Sequence, residues 1–335
     1  MRQTFPAGFF SRAVLAALFY LAGFTIVFAK DEMTSSLLIG NARIDITIER
    51  GTLRVPTKDV FLWVKLAAES VTAYYGRFPL PQVAIRITAF EGKGVRNGMA
   101  FGDRGGRITI RVGNETSPSE LASDWMLTHE MVHLAFPSVD EKHHWIEEGI
   151  ATCVEPIARI SAGHLKAEQM WSDLIRDMPQ GFPQVGDRGL DYTHTWGRTY
   201  WGGAVFCLLA DIEIRRQTNN AKGLEHALRG ILDAGGNIQK EWKLEDALRA
   251  GDLAVGVNIL QPLYSQLKDK PVSVDLDALW TKLSVQSDGE CLHFDDNAEM
   301  AENRRAITAG ESAAAEHSLS SKPLAVFAGC VVGTP

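Results

Sequence analysis

Apolar and polar residues alternate along several short stretches in the first third of the chain. Residues 44–55 and 82–90 have this period of two, which predicts half-buried strands. Glycines interrupt the second stretch, and residues 97–101 and 107–112 then predict two more short strands. Residues 58–75 have apolar side chains at helical spacing. We therefore expect a small mixed sheet with one helix.

The helical period dominates from residue 117 onward. Ser117-Pro118-Ser119-Glu120 forms a capping-box pattern, which predicts the start of a helix that ends at Pro137. A second helix is predicted over residues 142–155, stopped or kinked at Pro156. Residues 163–190, with a short helical patch at 171–175, are rich in glycine and proline and indicate a long loop that forms a lid or a pocket wall. Further helices are predicted at 199–217, 222–234, 241–250, 257–268 and 275–285.

These elements predict an α+β protein in which a small mixed β-sheet subdomain precedes the motif helices and an α-helical C-terminal subdomain. We place the sheet and the first motif helix in residues 30–137 and the helical subdomain in residues 138–285. Residues 286–335 form a tail, in which a Ser/Ala/Glu-rich stretch at 309–321 indicates a poorly ordered linker.

The charge balance excludes one class of partner. The chain has 335 residues, 45% of them hydrophobic, and its 41 acidic and 34 basic residues give a net charge of −7. It has no long basic run, so we do not expect it to bind nucleic acid.

The first 29 residues have the pattern of a targeting segment. Arg2 and Arg12 precede an apolar run from Ala13 to Ala29, and Val27-Phe28-Ala29 suits a signal peptidase. We expect export to the periplasm or the medium with cleavage after Ala29. The alternative is an uncleaved membrane anchor through residues 13–29, although this run is shorter than a typical span of about 20 residues.

Four cysteines leave two alternatives open. An exported chain with an even number of cysteines can form disulfides, and we consider Cys291–Cys330, which would close the tail, and Cys153–Cys207. The other alternative is four buried thiols. We favour the disulfide in the tail.

Candidate metal chemistry is concentrated between Trp125 and Ala151. His129 and His133 are four residues apart with Glu130 beside the first histidine, the H-E-x-x-H pattern of two zinc ligands and a general base on one helix face. A catalytic zinc site takes a third protein ligand and keeps one open position. A metzincin is excluded, because Phe136 and Val139 stand where that class has glycine and histidine.

Three residues remain candidates for the third ligand. His144 lies beside His143 near a helix start, and we interpret the two histidines as a solvated pair. Glu147 and Glu148 follow on the next predicted helix. We interpret Glu147 as a solvated helix charge and Glu148 as the better candidate.

The sequence Trp145-x-x-Glu148-Gly149-x-Ala151 resembles the W-x-x-E-G-x-A motif of the gluzincins, the thermolysin-like zinc peptidases, and most closely the glycyl-aminopeptidase family. The resemblance covers residues 95–300. It implies a thermolysin-like zincin fold, one zinc ion, and Glu148 as the third ligand.

A second motif extends the resemblance. Tyr200, Gly203, Ala204 and the residues up to Asp211 resemble the family's Y-x-x-G-A-x-x-x-x-L-x-D helix, whose tyrosine stabilises the oxyanion. This implies that role for Tyr200, with Tyr192 and His194 as competitors and a core aromatic as the structural alternative.

One segment departs from the larger aminopeptidases of the group. Their G-x-M-E-N strand holds the substrate's free amine through its glutamate, whereas this chain has Asn97-Gly98-Met99-Ala100-Phe101. The choice between endopeptidase and aminopeptidase action is therefore open. The strand can still pair with a substrate backbone.

Together these features predict an exported zinc metallopeptidase that acts on peptides or proteins, with Glu130 as general base. One alternative is a non-catalytic exported binding or scaffold protein that keeps a gluzincin fold and its metal. Another is a membrane-anchored processing protease of narrow specificity.

Overall fold

The computed structural model of the chain describes residues 26–29, 32–49, 53–287 and 292–309. Most of the predicted targeting segment, Cys291, Cys330 and nearly all of the predicted linker at 309–321 lie outside these residues. Export, cleavage after Ala29 and the tail disulfide stay predictions, as do the subdomain boundaries.

A six-stranded mixed sheet forms the N-terminal part, in the order β1-β2-β3-β4-β6-β5. Its strands are β1 (Ile26–Ala29), β2 (Glu32–Ile39), β3 (Ala42–Glu49), β4 (Gln82–Phe90), β5 (Val95–Phe101) and β6 (Gly106–Gly113). The β3–β4 and β4–β6 pairs are parallel and the other pairs are antiparallel. The expected mixed sheet is confirmed. The sequence pattern did not predict β2, or β1, whose residues belong to the predicted targeting segment.

The core lies between one sheet face and α1 (Thr57–Tyr75), which connects the parallel strands β3 and β4. Alternate residues of the three central strands are buried: Ile44, Ile46, Ile48, Val83, Ile85, Ile87, Ile108, Ile110 and Val112. Full burial of each such side chain stabilises the fold by roughly 1.5–3 kcal/mol. The opposite face is polar, with Arg86 paired to Glu32 and Glu49 at 2.6 and 2.9 Å. This one-sided burial explains the alternation in the sequence.

The motif region contains two helices, so the prediction of a single helix from Ser117 to Pro137 is wrong. The capping box is present, but it begins the short helix α2 (Pro118–Ala122). The chain then turns, and α3 (Met126–His133) begins anew with the carboxylate of Asp124 accepting a hydrogen bond from the backbone N–H of Leu127 at 3.3 Å. That bond satisfies one of the free amides in the first turn of α3.

The next helix, α4 (His144–Ser161), continues through Pro156, so of the two predicted outcomes at this proline, a stop or a kink, the stop is wrong. Proline removes one helical hydrogen bond. Both sides of this proline are nevertheless buried, with Val154 and Ile157 in the core. Tertiary packing supplies most of the stability of such helices. The predicted short patch in the following loop is the longer helix α5 (Ala167–Asp177).

The predicted C-terminal helices are confirmed to within a few residues at most ends. They are α6 (Gly203–Gln217), α7 (Leu224–Asp233), α8 (Leu244–Val255), α9 (Leu260–Leu267) and α10 (Leu276–Leu283). The structure adds strands β7 (Gln286–Ser287) and β8 (Leu292–His293) and helix α11 (Ala301–Thr308). Within the described residues, no helix has both the length and the apolar character needed to cross a membrane. The α+β class is confirmed.

Cys153 and Cys207 are free thiols, both buried. The disulfide considered between them is therefore not formed, and the alternative of buried thiols holds for this pair.

Candidate metal centre

His129 and His133 of α3 meet Glu148 of α4 in a group whose ligand atoms all lie within 4.8 Å of one another. The Nε2 atoms of His129 and His133 are 3.1 and 3.5 Å from the Glu148 Oε2 atom. Ligands at about 2.0–2.1 Å from a tetrahedral zinc ion are separated from one another by roughly 3.3 Å. The spacing of the three side chains therefore suits one zinc ion, which His129, His133 and Glu148 would hold.

The Glu148 carboxylate accepts hydrogen bonds from three histidines. Burial alone would raise its pKa, but hydrogen bonds from His129, His133 and His144 lower the pKa overall. A metal ligand must be deprotonated. Glu148 therefore stays ionised across the physiological range.

His143 and His144 do not form a solvated pair. His143 is buried, and its Nδ1 atom lies 2.9 Å from Asp191. His144 is half-exposed, with Nδ1 3.0 Å from Glu147 and Nε2 3.3 Å from the second oxygen of Glu148. These carboxylates raise the pKa of His144 to about 10. His144 thus contacts the third ligand without belonging to the metal group.

Glu147 is likewise not a simple solvated charge. Its side chain is 21% exposed and accepts a hydrogen bond from the backbone N–H of Val139 at 3.3 Å. It lies outside the three-residue metal group.

Asp191 fixes the first turn of α4 and was not found by the sequence analysis. Its carboxylate oxygens lie 2.9 Å from the His143 Nδ1 atom, 2.8 Å from the Trp145 Nε1 atom and 2.8 Å from the Tyr264 hydroxyl oxygen. Trp145 is three residues before Glu148, so this network positions the part of α4 that presents the ligand. A single aspartate in a loop has no sequence pattern that would have revealed it.

Glu130 lies against the edge strand β5. The strand is irregular between Arg96 and Met99, where Asn97 has a φ of 55°. This bulge brings Gly98 so close that a Cβ atom there would lie 2.5 Å from the Glu130 Oε1 atom. Burial raises the pKa of Glu130 to about 7. Any larger residue at position 98 would therefore displace the side chain of the candidate base.

Tyr200 lies in a single π-helical turn (Arg198–Gly202) that leads into α6. Such turns are frequent at functional sites. Its ring stacks on His129 with centroids 6.2 Å apart, and burial together with the charge of Glu148 raises its pKa to about 12. Its hydroxyl stays protonated and can donate a hydrogen bond.

The competing donors Tyr192 and His194 are placed differently. Tyr200 lines a cavity of about 610 Å³ together with Glu130 and Glu148, and neither competitor is among the described residues that line it. Tyr192 is 52% exposed. The structure therefore brings Tyr200, and not its competitors, to the metal group.

A glycine pair sets the distance between Glu148 and Tyr200. Gly149 follows the ligand, Gly203 follows the π-turn, and a Cβ atom on Gly149 would lie within 2.8 Å of the Gly203 carbonyl oxygen. The backbones of α4 and α6 are thus in direct contact. This explains in physical terms why both motifs contain a glycine.

Comparison with known proteins shows a shared fold without close sequence similarity. No protein-family model matches the chain, and no curated protein matches it. A solved aminopeptidase N family protein from Idiomarina loihiensis matches 80% of this chain and 51% of its own, with a TM-score of 0.57 and 14% identity. Two further solved structures match with lower TM-scores. An M1 zinc metallopeptidase from Deinococcus radiodurans matches 71% of this chain and 51% of its own, with a TM-score of 0.46 and 13% identity. Yeast LTA4 hydrolase matches 75% of this chain and 43% of its own, with a TM-score of 0.45 and 15% identity.

The first match shows that the chain has the fold of an aminopeptidase N family protein over most of its length. The chain spans about half the length of that protein. The narrower resemblance to the glycyl-aminopeptidase family stays a prediction.

Proposed function

We propose that this protein is an exported zinc metallopeptidase of the gluzincin type, with a thermolysin-like arrangement of its site. His129, His133 and Glu148 would hold one zinc ion. The observation that carries the proposal is the spacing of these three ligand atoms for a single tetrahedral ion, beside a buried carboxylate and a tyrosine hydroxyl.

Zinc at this position would supply Lewis acidity, which polarises a carbonyl and makes water more acidic. Glu130 takes the proton from the attacking water and passes it to the leaving amine. The Tyr200 hydroxyl donates to the oxyanion that forms on the scissile carbonyl, a type of interaction that often contributes most to catalysis.

The proposed substrate is a peptide or a protein. Strand β5 forms one edge of the sheet and contributes Gly98, Met99 and Ala100 to the cavity that contains the metal group. An extended peptide can add to such an edge through backbone hydrogen bonds. Ala100 stands where larger aminopeptidases have the amine-binding glutamate, so the strand supports substrate binding without requiring a free amino terminus.

A peptide-library digest tests the proposal. Zinc-loaded wild type and Glu130→Gln are incubated with the library, and products are identified by mass spectrometry. Glu69→Gln, at a partly exposed position of α1 far from the metal group in sequence, is the matched control. We expect cleavage by wild type and by Glu69→Gln, and none by Glu130→Gln, which should still bind zinc. Cleavage by Glu130→Gln at the wild-type rate would refute the mechanism. No cleavage by any of the three proteins would support the non-catalytic binding protein instead.

A further inference from the structure

A second cavity adjoins the metal centre. It has a volume of about 940 Å³ and shares His129 and Tyr200 with the first cavity, so these two side chains separate it from Glu130 and Glu148. Its size is within the range of pockets that bind small ligands, about 300–1,000 Å³. A group bound there would lie next to the reacting atoms.

A row of aromatic rings lines the wall of this cavity nearest the metal. The Trp125 ring contacts the His129 ring edge-on at 5.5 Å, and His129 stacks on Tyr200 at 6.2 Å. Tyr200 in turn stacks on Trp196 at 5.5 Å. Trp125 and Trp196 are 48% and 59% exposed, which is unusual for the largest apolar side chain. The row therefore presents ring faces and edges that another ring can contact.

The deeper wall is apolar and contains paired charges. Met170, Leu174 and Trp201 contribute apolar surface there. The charged lining residues are paired with each other, Arg159 with Glu155 at 3.0 Å and Arg176 with Asp173 at 2.8 Å. A charged side chain entering this cavity would lose its hydration without gaining an unpaired partner.

We propose that this cavity is a specificity pocket for an aromatic side chain of the residue next to the scissile bond, with Trp125 and Trp196 as the residues that select it. The inference rests on the proposed peptidase function, since it names the substrate class of that same site. Ring pairs at 4.5–7 Å are stabilised beyond their buried area. The row of rings and the paired charges therefore favour phenylalanine, tyrosine and tryptophan over small or charged residues.

Matched peptides that differ at one position test the specificity. Phenylalanine, alanine or aspartate is placed on either side of one scissile bond, so that the two sets identify the side that the cavity serves. We expect kcat/KM for phenylalanine to exceed that for alanine by at least about tenfold at one of the two positions. Aspartate should be the poorest of the three. Equal values at both positions would overturn the proposal.

Variants assign the preference to the two tryptophans. Trp196→Ala and Trp125→Ala should each reduce the ratio of kcat/KM for the phenylalanine peptide to kcat/KM for the alanine peptide, with both peptides measured in the same variant. Trp196→Phe should restore the preference, and Leu253→Ala, an exposed apolar residue of α8, serves as the control. A uniform loss for all peptides in the folded alanine variants would contradict a role in specificity.

Binding without hydrolysis separates this proposal from the proposed function. N-acetyl-phenylalanine amide and N-acetyl-alanine amide are titrated into wild type and Trp196→Ala, and binding is followed by NMR chemical shifts. We expect binding of the aromatic amide by wild type and weaker binding by the variant. If that result is obtained and no peptide is cleaved, the peptidase proposal fails and the pocket stands. If peptides are cleaved and neither amide binds, the pocket fails and the peptidase stands.

Discussion

Replacing Gly149 by alanine perturbs the contact that brings Glu148 and Tyr200 together. The new methyl carbon would lie 2.8 Å from the Gly203 carbonyl oxygen and closer still to that residue's Cα and carbonyl carbon. Carbon atoms in optimal contact are about 3.5–4.0 Å apart. Because the obstructing atoms belong to the backbone of α6, no side-chain rotation relieves the clash. We expect α4 and α6 to separate by roughly 1 Å.

The cost follows from two opposing contributions. Overpacking a core costs about 1–3 kcal/mol, and a backbone obstruction puts this site at the upper end. Alanine gains about 1 kcal/mol over glycine in helix propensity. The net destabilisation is roughly 2 kcal/mol, which lowers Tm by about 3 °C in a protein of this size. A displacement of 1 Å between catalytic groups also costs about 100-fold in rate.

Thermal unfolding and peptide cleavage measure both effects, with Gly251→Ala as matched control. A Cβ atom on Gly251, a buried glycine of α8, would meet the end of the Leu260 side chain at 2.6 Å, which can rotate away. We expect the control to stay within about 1 kcal/mol of wild type. If Gly149→Ala has the same Tm as the control and cleaves peptides at the wild-type rate, the contact between Gly149 and Gly203 does not position the site.

Three further predictions concern single side chains. Glu148→Gln should weaken zinc binding at least about 100-fold, because even the loss of a residue that only contacts a metal ligand costs about 10–100-fold in affinity. Glu147→Gln should keep zinc binding. Competition with a chromogenic chelator measures both affinities. Tyr200→Phe should lower kcat by roughly 10²–10³ with zinc content unchanged; an unchanged kcat would exclude Tyr200 as the donor. Burial, opposed by Arg159, raises the pKa of Glu155 to about 7 from 4.5, so its contribution to stability is full below pH 4.5 and lost as pH rises through 7. Thermal unfolding should therefore show a Tm of Glu155→Gln close to that of wild type at pH 5 and above it at pH 8. An equal fall in Tm from pH 5 to pH 8 in wild type and Glu155→Gln would contradict the raised pKa of Glu155.

The periodicity of apolar residues along the sequence predicted the helices and strands that bury only one face. Helix α1 and strand β4 have bounds within one residue of the expected ones, because each presents one apolar face to the core. The motif residues were also predicted together, since His129 and His133 lie one turn apart on a helix. The resemblance selected Glu148, and the structure brings it to the two histidines.

The remaining features depend on contacts between segments that are distant in sequence. The packing that carries α4 through Pro156 comes from other helices, and the break between α2 and α3 depends on one aspartate. Asp191 contacts its three partners across 46 to 73 positions of sequence. Trp125 immediately precedes α3 and Trp196 begins the helical segment that leads into the π-helical turn, so no periodicity reveals that they line one cavity.

Zinc titrated into chelator-treated protein, with peptide cleavage followed at each addition, tests whether hydrolysis depends on zinc and on Glu130. Cleavage by wild type should rise with added zinc and saturate at one ion per chain. Glu130→Gln should bind one ion and stay inactive throughout. Cleavage that is independent of zinc in wild type, or that reaches the wild-type rate in Glu130→Gln, would contradict the proposed mechanism.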